Sequence, residues 1–344
     1  MSRIEFNILL VGSGHNSSLE NMYLRAFAKS DFCKVELFDV DMCKPSLTKS
    51  RYLNRITNQL RIYNINKSLH NHLKRHSNAY DIIIIFKGMP FKQKSIASFK
   101  EISKKSLWVN INPDDPYNIA NRGASNTNVL KSINQYDVYC IWSQSIAKKL
   151  SADCAKNVVY LPFGYDEECH RPPQIRLPIN YSMISFVGGW DKYRERILEH
   201  AASFDLMVFG NGWERVSGKT QLSHKIYPGH LFGEGLSKTI YTSGVSLNIL
   251  RLQNTGSHNM RTFEIPSMGG LMLTNRTEEQ QEFFPENEAC YMYGDMEELQ
   301  AKITHILNHP QEAERVRKRG MELVQVHSYT NRVRQLMNDL QVFL

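Results

Sequence analysis

The sequence predicts an α/β protein with two domains, each built on a parallel sheet. Short apolar runs such as Ile82 to Phe86 contain no polar residue, as is typical of strands buried on both faces, and they alternate with segments of helical period. A proline-dense segment from His170 to Pro178 separates two such series of strands and helices. A chain of 344 residues is long enough to bury two cores.

The first half opens with a strand–helix–strand unit, with predicted bounds Phe6 to Val11, Leu19 to Phe27 and Val35 to Val40. The loop after the first strand contains Gly12 and Gly14, and Asp39 ends the second strand. This pattern also fits a dinucleotide site, in which the acid would hold a ribose. Ser17 stands in the place of the third glycine, so the motif is incomplete.

Residues Lys49 to Asn78 predict a long basic helix. Apolar residues recur at intervals of three and four at Leu53, Ile56, Leu60, Ile62, Ile65, Leu69 and Leu73. We expect these residues to pack and the opposite face to be basic, and a break into two helices remains open near Arg61, where the apolar phase changes. Such a helix either lies on an anionic membrane or presents a solvated face.

The positive charge of the protein lies in its first half. The net charge is +8, and residues 1–175 hold 24 Lys+Arg and 15 Asp+Glu, whereas residues 176–344 hold 18 and 19. The first half is therefore expected to meet an anionic membrane surface or a lipid-diphosphate acceptor, unless it is simply a solvated surface. Nucleic acid is not the expected partner, because no interleaving of aromatic and basic residues and no groove-reading motif is present.

The remaining strands of the first half are predicted at Leu107 to Ile111, Val138 to Trp142 and Val158 to Leu161. The first of these leads into Asp114 and Asp115, at the carboxyl edge of the sheet. Adjacent carboxylates at this edge can act as a general base for an acceptor hydroxyl or accept hydrogen bonds from a sugar. They are equally typical of a turn, since Asp and Pro favour turns.

The second half repeats the pattern of strand, glycine loop and helix. A strand from about Met183 leads into Gly188 and Gly189, which suit a phosphate or the close passage of a sugar. Leu206 to Phe209 leads into a second glycine loop, residues 210–213. From Glu297 the chain is predicted to be helical, with a break at residues 309–310 and a last helix over residues 329–340.

The stretch from residue 245 to residue 274 carries the clearest chemical signal. It reads as a strand, a polar loop, a short helix with Arg261 and Glu264, a Gly-Gly stop and a second strand. The loop Gly256-Ser257-His258-Asn259 can turn backbone N–H groups toward a diphosphate at the start of the helix, and Arg261 adds a cation. Glu264 can accept hydrogen bonds from ribose hydroxyls. The alternative is an ordinary surface ion pair at i,i+3 spacing.

This stretch resembles the donor-binding helix of GT-B glycosyltransferases, specifically the bacterial CgeB-like, group 1-related family. The resemblance continues in the tail ELQAKITHILNHPQEAERVRKRG with the following residues 327–332, in FVGGW at 186–190 with Arg194, in FGNGW at 209–213 and in NINPDD at 110–115. It is strong after residue 180 and loose before residue 105. Retaining group 1 relatives carry two glutamates eight positions apart. Glu264 fits the second, and Gly256 stands in the place of the first, so both stereochemical outcomes remain open.

The resemblance implies a GT-B architecture, with two Rossmann-like domains whose parallel sheets face each other across a cleft. The implied domains are residues 1–172 and residues 180–326, and a helix over residues 327–344 would cross back to the first domain. The implied donor site consists of Gly188, Gly189, Arg194, His230 near the base, Arg251, Gly256, Ser257, His258, Asn259, Arg261 and Glu264. Gly12 and Gly14 are expected on the acceptor side, and Asp114, Asp115 and His15 are the candidate general bases. We expect Glu264→Ala to abolish nucleotide binding with little effect on the melting temperature of the ligand-free protein.

The expected function is that of a metal-independent, hexosyltransferase-like enzyme of polysaccharide biosynthesis. It would move a sugar from a nucleotide-diphosphate sugar, its co-substrate, to an anionic or membrane-associated glycan or a lipid-linked acceptor, and no cofactor is expected. The alternatives are a nucleotide-sugar epimerase or hydrolase and an inactive nucleotide-sugar-binding assembly protein. The polar N-terminus and the short apolar runs favour a cytoplasmic protein, in peripheral contact at most with the inner face of the membrane. Six cysteines without metal-binding spacing are expected to be reduced.

Overall fold

The chain forms two units, and each has its own parallel sheet. In the computed structural model, which describes residues 5–42, 51–120, 123–175, 177–254 and 256–344, the first unit is Met1–Pro162 with Arg332–Leu344, and the second is Phe163–Asn331. The second unit thus begins ahead of the proline-dense segment. The end of the last helix belongs to the first unit.

The first unit contains a six-stranded sheet in the order β2-β1-β3-β4-β5-β6, in which all pairs are parallel. Its elements are β1 (Phe6–Gly12), α1 (Leu19–Ala28), β2 (Cys33–Asp39), α2 (Arg51–Arg75), β3 (Ile82–Phe86), α3 (Gln93–Ile102), β4 (Leu107–Asn112), α4 (Thr127–Ser132), β5 (Val138–Ile141), α5 (Gln144–Asp153) and β6 (Val158–Tyr160). β3 is buried along its whole length, as its uninterrupted apolar sequence predicts.

The second unit contains a five-stranded parallel sheet in the order β11-β10-β9-β7-β8. Its elements are β7 (Asn180–Val187), α6 (Lys192–Ala201), β8 (Asp205–Phe209), α7 (Gly233–Thr242), β9 (Ser243–Asn248), α8 (Arg261–Ser267), β10 (Met272–Asn275), α9 (Glu278–Phe283), β11 (Tyr291–Tyr293), α10 (Met296–Asn308), α11 (Pro310–Leu323) and α12 (Tyr329–Leu340), the last of which ends in the first unit. β7 lies between β8 and β9, so the strand order changes direction there. Ligands of open α/β sheets bind at such a point, beyond the carboxyl ends of the strands.

The predicted α/β class with two parallel sheets is confirmed, but one prediction about α2 is wrong. The helix is continuous through Arg61, and the side chains of Ile56 and Leu60 are exposed instead of packed. The buried stripe consists of Ile65 and Leu69 with the following Leu73. At 100° per residue, Ile56 lies half a turn away from Ile65, so the two apolar stripes point in opposite directions. Lys49, the predicted first residue, lies outside the described residues.

Two findings concern membrane-spanning segments and the cysteines. Within the described ranges, no helix is both long and apolar enough to cross a bilayer. All five cysteines described, at positions 33, 140, 154, 169 and 290, carry free thiols, and Cys43 lies outside the described residues. Burial raises the pKa of the Cys33 thiol to about 11, as expected for an inert core residue.

Candidate functional site

Two glycine loops of the second unit lie against each other at the carboxyl ends of β7 and β8. The Gly188 N–H donates to the Phe209 carbonyl at 2.9 Å, and the Trp190 N–H donates to the Asn211 carbonyl at 2.8 Å. Gly210 has a φ of +140°, and a Cβ atom there would overlap the Gly188 carbonyl. Only glycine allows this approach of one main chain to another.

Arg194 supports the first glycine loop from α6. Asp191 caps this helix by accepting a hydrogen bond from the Arg194 N–H at 2.9 Å. The Arg194 guanidinium is buried and donates to the Ile249 carbonyl at 2.8 and 3.0 Å and to the Gly189 carbonyl at 2.9 Å. Burial, together with the nearby Arg251 and Arg261, lowers the pKa of Arg194 to about 10. Three guanidinium groups therefore share one electrostatic environment.

The other two arginines reach the same loops from different elements. Arg251, after β9, is half exposed, and its Nε lies 3.9 Å from Asp191 Oδ2. Arg261, the first residue of α8, donates from Nε to the Val187 carbonyl at 3.2 Å, at the end of β7. Arg194 and Arg251 both lie near the carboxylate of Asp191, at 3.6 and 3.9 Å. The net positive charge beside glycine-lined main chain is suited to an anionic ligand.

Glu264 is buried beside this cluster. One carboxylate oxygen accepts a hydrogen bond from Arg261 Nη1, and the other lies 3.5 Å from Nε2 of His170. Both Glu264 and His170 are almost completely shielded from solvent, so the pair with Arg261 is not an ordinary surface ion pair. His170 Nδ1 accepts from the Asp166 N–H at 3.1 Å, which places the ring proton on Nε2, toward Glu264.

His170 is a site residue that the sequence reasoning missed, because it counted as part of a linker. Its contact with Glu264 joins residues 94 positions apart, and no spacing signal connects them.

The loop before α8 is held from inside the unit. The hydroxyl of Ser257 donates to Glu279 at 2.5 Å, and Nδ1 of the fully buried His258 lies 2.9 Å from the same oxygen. The Phe163 N–H donates to His258 Nε2 at 3.2 Å, so the imidazole is neutral and its proton is on Nδ1. Only the main chain of His258 is left to contact a ligand.

The backbone amides of this loop are already engaged in part. The Ser257 N–H donates to the Asn254 carbonyl at 3.1 Å, and the Asn259 N–H faces the Thr262 hydroxyl at 3.3 Å. Asn259 in turn accepts from the Thr262 N–H at 3.1 Å and so caps the first turn of the helix. Gly256 is exposed, with a φ of +86°. Part of the donor capacity of the loop is therefore already used within the protein.

An aromatic platform lies beyond β8. The Tyr227 N–H donates to the Val208 carbonyl at 2.9 Å, and the Tyr227 ring stacks on Phe209 with centroids 5.3 Å apart. The outer part of the Tyr227 ring is exposed, as is His230 three residues later. A half-exposed ring that stacks on a buried one is suited to contact a planar base.

The candidate acceptor-side loop in the first unit uses its acid internally. The Gly14 N–H donates to Asp39 Oδ1 at 2.8 Å, so one oxygen of this carboxylate holds the loop. Gly12 lies against the side chain of Glu20, whose pKa burial raises. His15 is exposed, with Nδ1 2.8 Å from the Ser17 hydroxyl.

The two candidate aspartates after β4 have different surroundings. Asp114 forms a half-buried ion pair with Lys87 at 2.5 Å. Asp115 accepts from the Tyr117 N–H at 2.9 Å, which is the geometry of an Asx turn. Within the described residues, no group of three or more His, Cys, Asp or Glu side chains is arranged to hold a metal ion.

Comparisons with known proteins agree with this architecture. Residues 194–338 match the family model of glycosyl transferase-like proteins, whereas no curated protein matches the sequence. A sucrose-phosphate synthase from Thermosynechococcus elongatus is 16% identical, with a TM-score of 0.65 over 98% of this chain and 100% of that one. HepE of Anabaena, solved with UDP-glucose, is 12% identical, with a TM-score of 0.67 over 98% and 100%. The N-terminal domain of a Candida albicans trehalose-6-phosphate phosphatase is 13% identical, with a TM-score of 0.69 over 99% and 98%.

The chain therefore has the GT-B fold of glycosyltransferases, and its second half is similar to glycosyl transferase-like proteins. The predicted fold class is confirmed, and the CgeB-like subfamily stays a prediction. The family match covers residues 194–338, which is less than half of the chain. The fold alone does not fix the reaction, since a synthase and a domain of a phosphatase share it.

Proposed function

We propose that this protein transfers a sugar from a nucleoside-diphosphate sugar to an acceptor hydroxyl group. The observation that carries the proposal is the cluster of Arg194, Arg251 and Arg261 around two interlocked glycine loops, with the buried carboxylate of Glu264 beside it. These groups suit the two chemically distinct parts of one ligand, a diphosphate and a ribose.

The arginine cluster accounts for catalysis as well as binding. As the bond from the sugar to the diphosphate breaks, negative charge builds up on the leaving diphosphate, so fixed cations stabilise the transition state more than the ground state. Arg194 is already oriented by three carbonyl hydrogen bonds and needs no rearrangement. We propose that the arginines supply this charge without a metal ion.

Glu264 is the proposed ribose ligand. Its partners Arg261 and His170 keep the carboxylate in place, and accepting hydrogen bonds from two ribose hydroxyls would extend this buried network. His230 and the Tyr227 ring are the proposed contacts of the base. HepE, which shares the fold, was solved with UDP-glucose, so UDP-sugars are the first donors to test.

The proposed acceptor is an anionic or membrane-associated glycan or a lipid-linked sugar. The excess of nine positive charges in residues 1–175, 24 Lys+Arg against 15 Asp+Glu, supports an anionic partner. Asp114, Asp115 and His15 stay the candidate general bases, with Gly12 and Gly14 on the acceptor side. Use of Asp115 would require its turn hydrogen bond to be given up.

The test combines thermal shift with product analysis. UDP, GDP, dTDP and CMP, alone and with their sugars, are screened for a rise in melting temperature, and nucleotide release is then measured with and without acceptors. Arg251→Gln should weaken both signals, whereas Arg196→Gln, an exposed change on α6, should leave them unchanged. Release of free epimerised or hydrolysed sugar in the absence of an acceptor would show that the protein is an epimerase or a hydrolase instead of a transferase. Binding without any turnover would indicate an assembly protein, and no response to any nucleotide would refute the site.

A further inference from the structure

One face of α2 is exposed along the length of the helix and has a distinctive composition. Ile56, Leu60, Tyr63, Lys67 and Lys74 fall within an arc of about 60° at 100° per residue, and we call this set the outer face of α2. The three apolar members are 38%, 57% and 61% exposed, respectively. The buried residues 65, 69 and 73 lie on the other side of the helix. The outer face is therefore apolar toward the N-terminus of the helix and cationic toward its C-terminus.

The charge around this face is predominantly positive. The 25 residues of α2 include six Lys or Arg and no Asp or Glu. α3 packs beside α2 and adds the exposed cations Lys92 and Lys94 at its start. Over residues 51–105 the sequence contains 12 Lys+Arg and 2 Asp+Glu. Among the Lys and Arg side chains of α2 that the structure describes, Arg61 lies nearest to a carboxylate, at 3.1 Å from Asp41. Arg61 is not on the outer face.

We propose that the outer face of α2 binds the surface of an anionic lipid bilayer. Ile56, Leu60 and Tyr63 would enter the interface between headgroups and acyl chains, while Lys67 and Lys74 contact the headgroups. An interfacial helix combines these two features, since apolar burial and attraction to anionic lipid both contribute to its binding. The proposal deepens the partner assignment of the proposed function, but vesicle binding itself does not require sugar transfer.

Two other occupants fit the face less well. A second copy of the chain would bring two helices without a single acid against each other, and like charges at an interface are unfavourable. A soluble polyanion would satisfy the lysines but would leave the three apolar side chains in water. An anionic bilayer complements both halves of the face.

The experiment is flotation of the full-length protein with vesicles of phosphatidylcholine, with and without phosphatidylglycerol. The parent protein should float only with the anionic vesicles. The double variants Leu60→Ser/Tyr63→Ser and Lys67→Glu/Lys74→Glu should each bind at least about tenfold more weakly, because the first removes apolar surface from the interface and the second reverses two charges near anionic lipid. Matched controls are Val342→Ser and Lys219→Glu, which change exposed residues elsewhere and should bind as the parent does.

Each other outcome overturns the proposal in a different way. Equal binding by the parent and both double variants would show that another surface binds the lipid. Loss of binding only in the lysine variant would indicate a general polyanion site. Dimers in light scattering that Leu60→Ser/Tyr63→Ser abolishes would identify a second copy as the occupant. The UDP-induced thermal shift, measured on the same variants, should stay unchanged, so a failure of the donor site is seen separately from a failure of the membrane face.

Discussion

Replacement of Glu264 tests the proposed donor site most directly, because this carboxylate is both buried and proposed to hold the ribose. Glu264→Gln keeps the size of the side chain and removes its charge. In the parent protein the carboxylate pairs with Arg261, whose side chain is 26% exposed, and faces His170 Nε2 at 3.5 Å. The variant therefore leaves a largely buried guanidinium without its counter-ion.

The size of the effect follows from this burial. Breaking a fully buried ion pair costs about 3–5 kcal/mol, and partial solvation of Arg261 reduces this to roughly 2–3 kcal/mol. In a unit of this size 1 kcal/mol corresponds to about 2–4 °C, so the melting temperature of the ligand-free protein should fall by roughly 5–10 °C. The sequence predicts almost no change, because the i,i+3 spacing of Arg261 and Glu264 does not show that Glu264 is buried. Loss of charge-assisted hydrogen bonds to ribose should weaken UDP binding by about tenfold to a hundredfold.

Calorimetry with UDP and a urea titration of the ligand-free protein measure the two effects separately. Glu234→Gln, which breaks an exposed pair with Lys238, is the control and should change neither quantity appreciably. Unchanged UDP affinity in Glu264→Gln would remove the ribose assignment. An unchanged urea midpoint would refute the expected stabilisation, because it would show that the pair with Arg261 contributes nothing in solution.

Three further substitutions probe the loops, the buried histidine and the acid stability of the second unit. Gly210→Ala should destabilise the second unit by more than about 1 kcal/mol and abolish UDP binding, because the new methyl group overlaps a carbonyl of the first glycine loop. The urea midpoint measures the loss of stability, and calorimetry measures the loss of binding. His170→Asn should raise the donor KM several-fold while kcat changes little, because His170 positions the ribose-binding carboxylate without touching the sugar, as steady-state kinetics would show. The Arg276 guanidinium lowers the pKa of Glu298 from 4.5 to about 2. The stability that the ionised Glu298 carboxylate contributes is therefore present above pH 4.5 and is lost as the pH falls toward 2. Glu298→Gln should therefore remove part of the acid sensitivity in melting curves recorded over this range.

Each of these three has its own contradicting result, and the first two have a matched control. Gly218→Ala, where a Cβ atom meets nothing within 4 Å, should be neutral, and an equally harmless Gly210→Ala would argue against the loop contact. His200→Asn, an exposed change on α6, should leave the kinetics unchanged. A fall in kcat with constant KM would give His170 a different role. Parallel pH profiles of the parent and Glu298→Gln would exclude a stabilising pair at acid pH.

Local patterns were sufficient to predict the fold. The apolar runs, the glycine loops that follow them and the helical periods between them identified both parallel sheets, and Arg261 and Glu264 were placed on one short helix. Such features depend on neighbours within a few residues of each other.

The features that the sequence did not predict depend on distant or ambiguous partners. The contact between His170 and Glu264 spans 94 positions, and the burial of His258 depends on Glu279 and Phe163, on other elements. On α2, periodicity identified two apolar stripes, but it did not show which of the two is buried. Only the packing of the later stripe decides this, and it leaves Ile56 exposed.

The interlocked glycine loops limit how the donor preference of such a protein can change. A side chain cannot be introduced at Gly210 without displacing the opposing main chain. The two glycine loops, which are proposed to face the diphosphate, therefore have little freedom to vary. Tyr227 and His230, by contrast, have exposed side chains. If the proposed site is correct, divergence toward a new base would therefore start at these exposed side chains, while the glycine loops stay the same.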